Sequence, residues 1–285
     1  MILVDLNQVM ISNLMMHIAM SKDDINEGMI RHMILNSLRS YRSKFSNEYG
    51  ELVICCDGRN YWRREFFPHY KANRKKDREE SDLDWNQLFE CLNKVRDEIR
   101  DNLPYKTVRV DRAEADDIIA SICHKYGTFI GSGEKILILS GDKDFAQLQK
   151  YSNVYQYSPV QKKMIAVNNP ESFRKEHIIL GDRSDGIPNF MSDDDTFVSG
   201  KRQKPIRRER MEEWCHQEPE QFCNDLMLRG YKRNEMLIDL DKIPVDIQDE
   251  CIRQFENTTT NPRSKIFPYF IQHKLSHMTE SIGDF

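Results

Sequence analysis

Nine carboxylates stand where apolar runs end or helices should begin: Asp5, Asp57, Glu114, Asp116, Asp117, Asp142, Asp144, Asp182 and Asp185. Asp5 follows Ile2-Leu3-Val4, and Asp57 follows the run from Leu52 to Cys56. The Glu114–Asp117 group follows Val108-Arg109-Val110, while Asp142 and Asp144 follow Ile136 to Leu139. Short apolar runs of this kind suit the buried strands of a parallel sheet. The carboxyl ends of such strands share one edge, where ligands bind. Like charges about 4 Å apart repel by about 4 kcal/mol per pair at an effective dielectric near 20, so a gathered cluster demands cations. Oxygen ligands favour hard divalent ions, and the cluster contains no sulfur or imidazole, which argues against zinc. Two such ions about 3.5–4 Å apart would activate a water for in-line attack on phosphorus and stabilise the leaving oxygen. Mg2+ is the expected pair of ions, with Mn2+ able to substitute.

Taken singly, each acidic group has an ordinary alternative. Asp5 and Asp57 could be turn or cap residues. Glu114 and Asp117 lie three apart and share a helix face, with Asp116 angled away. They could equally complement a helix dipole. Gly141-Asp142-Lys143-Asp144 could be a capped turn, and Asp182 with Asp185 could be an ordinary loop between Gly181 and Gly186. The conjunction of five such groups, four of them after apolar runs, favours a metal centre.

Cations and rings sit just after Asp57. Tyr61-Trp62-Arg63-Arg64 and Tyr70-Lys71 through Arg74, Lys75 and Lys76 join aromatic faces to charge, as suits single strands whose bases stack on rings. Arg63 and Lys71 are candidates for stabilising transition-state charge. The alternative is a solvated basic face with Trp62 tucked into the core. A second basic run contains Lys201, Arg202, Lys204, Arg207, Arg208 and Arg210 against Glu209 alone. The net charge of −4 hides this pattern: removing nine clustered negative charges leaves +5 on everything else. An acidic centre between basic arms fits an enzyme that holds metals and grips phosphates.

These residues need a scaffold, and 285 residues at 39% hydrophobic can supply one. Strands are predicted at 2–5, 52–56, 106–110, 135–139 and 153–157, alternating with helices at 25–46, 84–101 and 114–126. That alternation predicts a central, mainly parallel α/β sheet flanked by helices. The stretch from Tyr61 to Asp84 fits neither period. Beyond residue 180 the pattern becomes a loop over 181–206 and then helices near 207–216, 219–229, 246–256 and 265–275. A boundary is therefore placed near 180, between a nuclease-like part (1–180) and a smaller all-helical part (181–285). Seven cysteines without a Cys-x-x-Cys pair fit a reducing cytoplasm. No run approaches a membrane span, and no basic leader suggests a signal peptide.

Together the motifs resemble the 5′ nuclease superfamily, which includes flap endonucleases and the 5′ exonuclease domains of bacterial DNA polymerases. Within it the chain is most similar to the RNase H branch of T-even-type bacteriophages. The likeness runs through Tyr61-Trp62-Arg63-Arg64, Tyr70-Lys71 to Arg74, Glu114-Ala115-Asp116-Asp117, Asp142-x-Asp144-Phe145-x-Gln147-Leu148 and Gly181-Asp182-x-x-Asp185. It continues through Leu237-Ile238-Asp239, Ile243-Pro244 and Lys265-Ile266-Phe267-x-Tyr269-Phe270. The resemblance implies a PIN-like 5′ nuclease fold, with an arch over about 58–103 that passes a 5′ single strand. It implies a Mg2+-dependent 5′-to-3′ exonuclease and 5′-flap endonuclease that removes RNA primers and adjacent DNA from lagging-strand fragments. Asp5, Asp57, Glu114, Asp116 and Asp117 would serve one metal. Asp142 and Asp144 would approach or bridge it, and Asp182 and Asp185 would serve the second. Lys71, Arg63, Asp116 and Asp142 would form the catalytic set. Implied partners are flap, nicked or forked DNA and RNA–DNA hybrids, a single-stranded-DNA-binding protein and a sliding clamp, met by a monomer in the host cytoplasm. Most relatives follow the last aspartates with a glycine-rich helix-hairpin-helix. Here Ile187-Pro188-Asn189 leads into Met191-Ser192-Asp193 instead, which shifts duplex contact to Lys201–Arg210. The rival readings are a PIN-type ribonuclease, a non-catalytic nucleic-acid-binding module and a metal-dependent phosphatase.

Overall fold

Three runs, Ile2–Asp5 (β1), Leu52–Cys56 (β2) and Ile136–Leu139 (β4), are buried at every position, as strands covered by helices on both faces must be. With Lys106–Arg109 (β3) and Val154–Ser158 (β5) they pair in parallel. Lys163–Ile165 (β6) closes one edge antiparallel to β5. The order in this computed structural model is β3-β2-β1-β4-β5-β6. The structure describes residues 1–20, 26–81, 83–131 and 133–285, apart from the side chains of Met20, Lys76 and Asp77. The direction of strand addition reverses between β1 and β4, the place where open α/β sheets open a crevice at their carboxyl edge. The register aligns Asp5 with Cys55 and Val4 with both Ile54 and Leu139. Asp5, Asp57 and the residues after Leu139 therefore emerge on one edge.

The helices are Leu6–Met20 (α1), Glu27–Tyr49 (α2), Trp62–Phe66 (α3), Asn73–Glu79 (α4), Trp85–Asn102 (α5), Ala115–Tyr126 (α6) and Pro170–Leu180 (α7). Arg208–Trp214 (α8), Pro219–Phe222 (α9), Asp225–Ile238 (α10), Val245–Asn257 (α11), Ile266–Gln272 (α12) and Ser276–Thr279 (α13) follow. Side chains of Asn26, Asp84, Asn169 and Asn224 cap α2, α5, α7 and α10, satisfying amides that a helix start leaves orphaned. The sheet face carrying Ile2, Val4, Ile54 and Leu139 packs on α1, α2 and the Leu88/Leu92/Val95/Ile99 stripe of α5. The other face, with Leu3, Val53, Val108 and Ile138, packs on α6 and α11. A third cluster joins Phe67 and Tyr70 to Ile178, Phe190, Trp214 and Tyr231. No helix among the described residues is long and apolar enough to cross a membrane.

Several expectations change. Apolar residues from beyond 180 help to build the cores on the sheet: Ile247, Cys251 and Phe255 join the second cluster and Ile266, Tyr269 and Phe270 join the first. Residues 61–84 contain two short helices instead of an irregular connection. Of the proposed arch, Trp62 packs in the second cluster, Phe67 and Tyr70 in the third and α5 against the sheet, while Arg59, Arg64, Glu65, Phe66 and Lys75 face solvent. Helix α1 follows β1 without a break.

Candidate metal and nucleic-acid site

Each strand-end carboxylate is held by its own neighbours. Asp5 accepts from the Gln8 amide at 3.0 Å and from Ser140 Oγ at 3.1 Å. Asp57 accepts at Oδ1 from the amide of Ala115, the first residue of α6, at 2.8 Å. Its Oδ2 accepts from Asn7 Nδ2, with the Tyr61 hydroxyl 3.5 Å away. Asp142 caps the 3-10 turn Lys143–Lys150 by accepting from the Asp144 amide at 3.0 Å. Asn7 and Gln8 thus belong to the site although no sequence motif marked them. They do so because α1 starts directly after Asp5, which turns its first residues toward the same edge.

Among the described residues no Lys, Arg or His lies within ion-pair distance of Asp5, Asp57, Asp116 or Asp142. Burial, followed by Asp57, raises the Asp5 carboxyl to about 7. Burial and then Asp142 and Asp5 push Asp116 well above the usual carboxylate range. Asp57 is raised by burial and Glu114, and Asp142 chiefly by burial. Asp144 is raised to about 7 by burial and Asp142. Neighbouring acids raise Asp5, Asp57, Asp116, Asp142 and Asp144 alike, and the charge of Lys71 offsets this at Asp57, Asp116 and Asp142 only from beyond ion-pair distance. Such a concentration of charge is characteristic of functional sites.

The remaining acids are already neutralised. Burial pushes Glu114 upward, but Lys71 and Arg63 more than offset it and hold its carboxyl below the usual range. Lys71 Nζ lies 2.6 Å from Glu114 Oε1 and 3.5 Å from Asp185 Oδ2. Asp185 also receives Arg74 at 2.6 Å and the Tyr70 hydroxyl at 3.1 Å. Asp182 is pulled well down, against its burial, by His177, Ser184 and Lys143. The imidazole of His177 stands between two carboxylates, 3.2 Å from Asp144 Oδ1 and 3.2 Å from Asp182 Oδ2. These three could hold a cation, which corrects the expectation that the cluster lacks histidine. His177 was missed because it lies within α7, outside every acidic motif.

Other placements differ from expectation. Asp117 is no ligand candidate: it is fully buried, accepts from the Glu114 amide at 2.9 Å and pairs with Arg63 at 2.8 Å. This is a capping box, in which the residue at the third helical position turns back to the cap. Asp116, expected to angle away, is the member whose carboxyl is pushed up by burial and then by the charges of Asp142 and Asp5. Arg63 is 2% exposed, and its guanidinium is spent on Leu237 O, Glu114 and Asp117. It is an internal counter-ion, not a group open to a transferred phosphate. Trp62 and Tyr70 are buried too, with the indole donating to Asp117 and the phenol to Glu114. Neither ring is available for base stacking.

Of the predicted basic nucleic-acid contacts after Asp57, Arg64, stacked over the Tyr61 ring at 5.3 Å, and Lys75 face solvent, while Arg74 is half-buried against Asp185. The side chain of Lys76 lies outside the described residues. Lys201, Arg202, Lys204, Arg207 and Arg208 are all exposed. Lys201 pairs with Asp195 and Arg208 with Glu212. Among the described residues no acid lies within ion-pair distance of Arg202, Lys204 or Arg207. The turns that carry this run are fastened from α10. Buried Arg233 donates to Pro188 O, Asn189 O and Ser192 O, and Asn234 to Pro188 O and Ile178 O.

Two family models match the chain. The N-terminal resolvase-like domain of 5′-3′ exonucleases matches residues 1–177, and the C-terminal domain of T4 RNase H matches 170–285. The chain is 36% identical over 293 aligned residues to the ribonuclease H of Enterobacteria phage T4, covering 99% of this chain and 95% of that protein. It is 30% identical to a 5′-3′ exonuclease of Buchnera aphidicola over 51% of this chain and 49% of that one. Among solved structures, a bacteriophage T5 5′-exonuclease with bound zinc superposes with a TM-score of 0.60 at 18% identity, covering 90% of this chain and 98% of that one. A T5 flap endonuclease in a pseudo-enzyme–product complex with DNA and metal ions gives 0.59 at 17%, covering 90% and 97%. At that identity the T5 structures speak for the fold.

Proposed function

Because the chain belongs to the 5′-3′ exonuclease family, with a C-terminal part of the T4 RNase H type, we propose that it is a divalent-metal-dependent 5′ nuclease that cleaves phosphodiester bonds as exonuclease and flap endonuclease. One observation carries this reading: Asp5, Asp57, Asp116 and Asp142 crowd one sheet edge with raised proton affinities and, among the described residues, no Lys, Arg or His within ion-pair distance, the charge of Lys71 reaching Asp57, Asp116 and Asp142 only from farther away. An all-oxygen donor set of this kind fits a hard ion, and Mg2+ prefers oxygen ligands shared with substrate phosphates. When bound, such an ion supplies Lewis-acid stabilisation of charge on the reacting phosphate.

The protein's own groups orient and neutralise. Asn7, Gln8, Ser140 and the first amide of α6 hold the carboxylates of Asp5 and Asp57 in place. Lys71, poised between Glu114 and Asp185, presents an ammonium to a phosphate arriving at the site edge. Asp144, His177, Asp182 and Asp185 would hold a second ion, with Lys143 and Arg74 released from Asp182 and Asp185 to meet substrate phosphates. The exposed run from Lys201 to Arg210 would grip duplex backbone, and Arg64 with Tyr61 the single strand. Removal of RNA primers and adjacent DNA is the role that fits this chemistry.

The test is cleavage of end-labelled 5′-flap, nicked and 5′-RNA–DNA hybrid substrates with Mg2+ or EDTA. Products released from the 5′ end only with Mg2+ are expected. Cleavage that persists in EDTA would sink the metal-dependent reading, and loss of terminal phosphate alone would point to a phosphatase.

A further inference from the structure

A cavity of about 770 Å³ runs along the free edge of β3, behind the last residues of β2. Four arginines line it: Arg59 from the loop after β2, Arg96 and Arg100 one turn apart on α5, and Arg109 from β3. Its only acidic lining residues among those described are Asp97 and Asp111, so positive charge exceeds negative by two. Asp97 sits 3.1 Å from Arg96 and 3.0 Å from Arg100, Asp101 just outside the lining pairs with Arg100 at 2.8 Å, and Arg109 Nε donates to the Asp57 carbonyl at 2.9 Å, which leaves Arg59 and Arg109 without a carboxylate partner among the described residues. A guanidinium has five donors in a fixed fork, so these contacts leave donors free. Arg59 has no ion pair among the described residues.

The loop carrying Arg59 is rigidly seated. Gly58 donates to Ala113 O at 2.8 Å, and Arg112 donates to Arg59 O at 2.7 Å. A Cβ at Gly58 would stand 1.9 Å from Val110 O, so only glycine permits this approach. Asp57 links the two sites. Its carboxylate faces the metal cluster through Ala115 and Asn7, while its carbonyl orders Arg109 at the cavity.

We propose that this cavity binds phosphodiester groups of a nucleic-acid strand, as a second contact region apart from the metal site. The proposal rests on the nuclease reading. Arginine forks match phosphate oxygens bidentately, and the lining includes no large apolar side chain to hold an apolar ligand. The same chemistry would also accept free phosphate, which the experiment separates.

Binding of fluorescein-labelled 5′-flap DNA by the full chain is measured in EDTA at several salt concentrations, for wild type and for Arg59→Ala/Arg100→Ala. The double variant should bind severalfold to tenfold more weakly. Its log–log salt slope should be shallower by about 0.9 for each duplex phosphate left without a protein cation, or about 0.7 for each single-strand phosphate. Arg59→Gln, on an exposed loop position, provides the same reading should the double variant fail to fold. A folded variant with wild-type affinity and slope overturns the proposal. So does thermal protection by inorganic phosphate that the variant loses while DNA binding stays unchanged, since the cavity would then take free phosphate only. Wild-type cleavage with Mg2+ is scored separately. If that fails, the nuclease reading falls; if it stands with an unchanged slope, only the second contact region falls.

Discussion

Lys71 Nζ donates to Glu114 Oε1 at 2.6 Å from a backbone held at φ 55°. This left-handed conformation is one that non-glycine residues rarely adopt. The strain is held by the Lys71 amide, which donates to Asp185 O at 2.7 Å, and observed strain of this kind points to functional placement. One buried residue therefore ties the neutralised edge of the first carboxylate group to the loop bearing the second.

Lys71→Ala should slow cleavage about 10²–10³-fold, the scale seen when one preorganised charge donor is removed. Affinity for flap DNA should change only a few-fold. Single-turnover rates beside binding measured in EDTA separate the two. Equal losses in both would reduce Lys71 to a phosphate contact.

Asp116→Asn and Asp142→Asn should each abolish cleavage while sparing DNA binding. Each removes one member of an acidic cluster whose burial and mutual repulsion outweigh the charge of Lys71. Melting temperature without metal should therefore rise, and added Mg2+ should stabilise the variant less than wild type. A lower melting temperature in EDTA would mean that these carboxylates are structural.

The strands and most acidic positions were legible because uninterrupted apolar runs ending in Asp have few other uses in a parallel sheet. Spacing could not say which of Asp116 and Asp117 enters the site. That depends on whether the cap at Glu114 recruits its third residue backward, and it does. Trp62, Arg63 and Tyr70 looked like a nucleic-acid surface because a basic aromatic stretch and a buried counter-charge network share one composition. Only the contacts to Asp117 and Glu114 separate them. His177 lies four residues before Gly181 and is brought between Asp144 and Asp182 by the packing of α7. Strand β6 escaped because it is three residues long and solvent-facing.

Trp62→Phe tests that reassignment. It keeps a ring but removes the Nε1 donor to Asp117 at 3.2 Å, leaving a buried carboxylate short of a partner. Stability should fall by about 1–3 kcal/mol, measured by denaturant unfolding, with affinity for single-stranded DNA unchanged. A selective loss of single-strand binding would restore Trp62 to the nucleic-acid surface.

The pH dependence follows from Asp5 and Asp144, both raised to about 7 in the folded chain without metal. A raised carboxyl favours folding fully below its unfolded value near 4, and that contribution is lost as pH climbs through 7. In EDTA, melting temperature should therefore decline from about pH 5 to pH 8. Ligands must shed protons to bind a cation, so stabilisation by Mg2+ should grow over the same interval. A flat profile in EDTA would show that these carboxylates are already ionised and screened.

Arg233 bears on the proposed grip of the Lys201–Arg210 run on duplex. Its guanidinium is 7% exposed, pairs with Asp194 at 2.7 Å and donates to the carbonyls of Pro188, Asn189 and Ser192. Removing it takes the side-chain donor from Ser192 O and one of two cations from Asp194, while Pro188 O keeps Asn234 and Asn189 O keeps the Ser192 amide. Arg233→Ala should cost about 1–3 kcal/mol, the scale of leaving buried polar groups short of a partner. Asn189 Nδ2 donates to Lys204 O and the Lys204 amide to Ser192 Oγ, so slack in these turns should reach the exposed Lys201–Arg210 run. Affinity for nicked duplex should fall well beyond affinity for a short single strand. Equal weakening of both would place duplex contact elsewhere on the molecule.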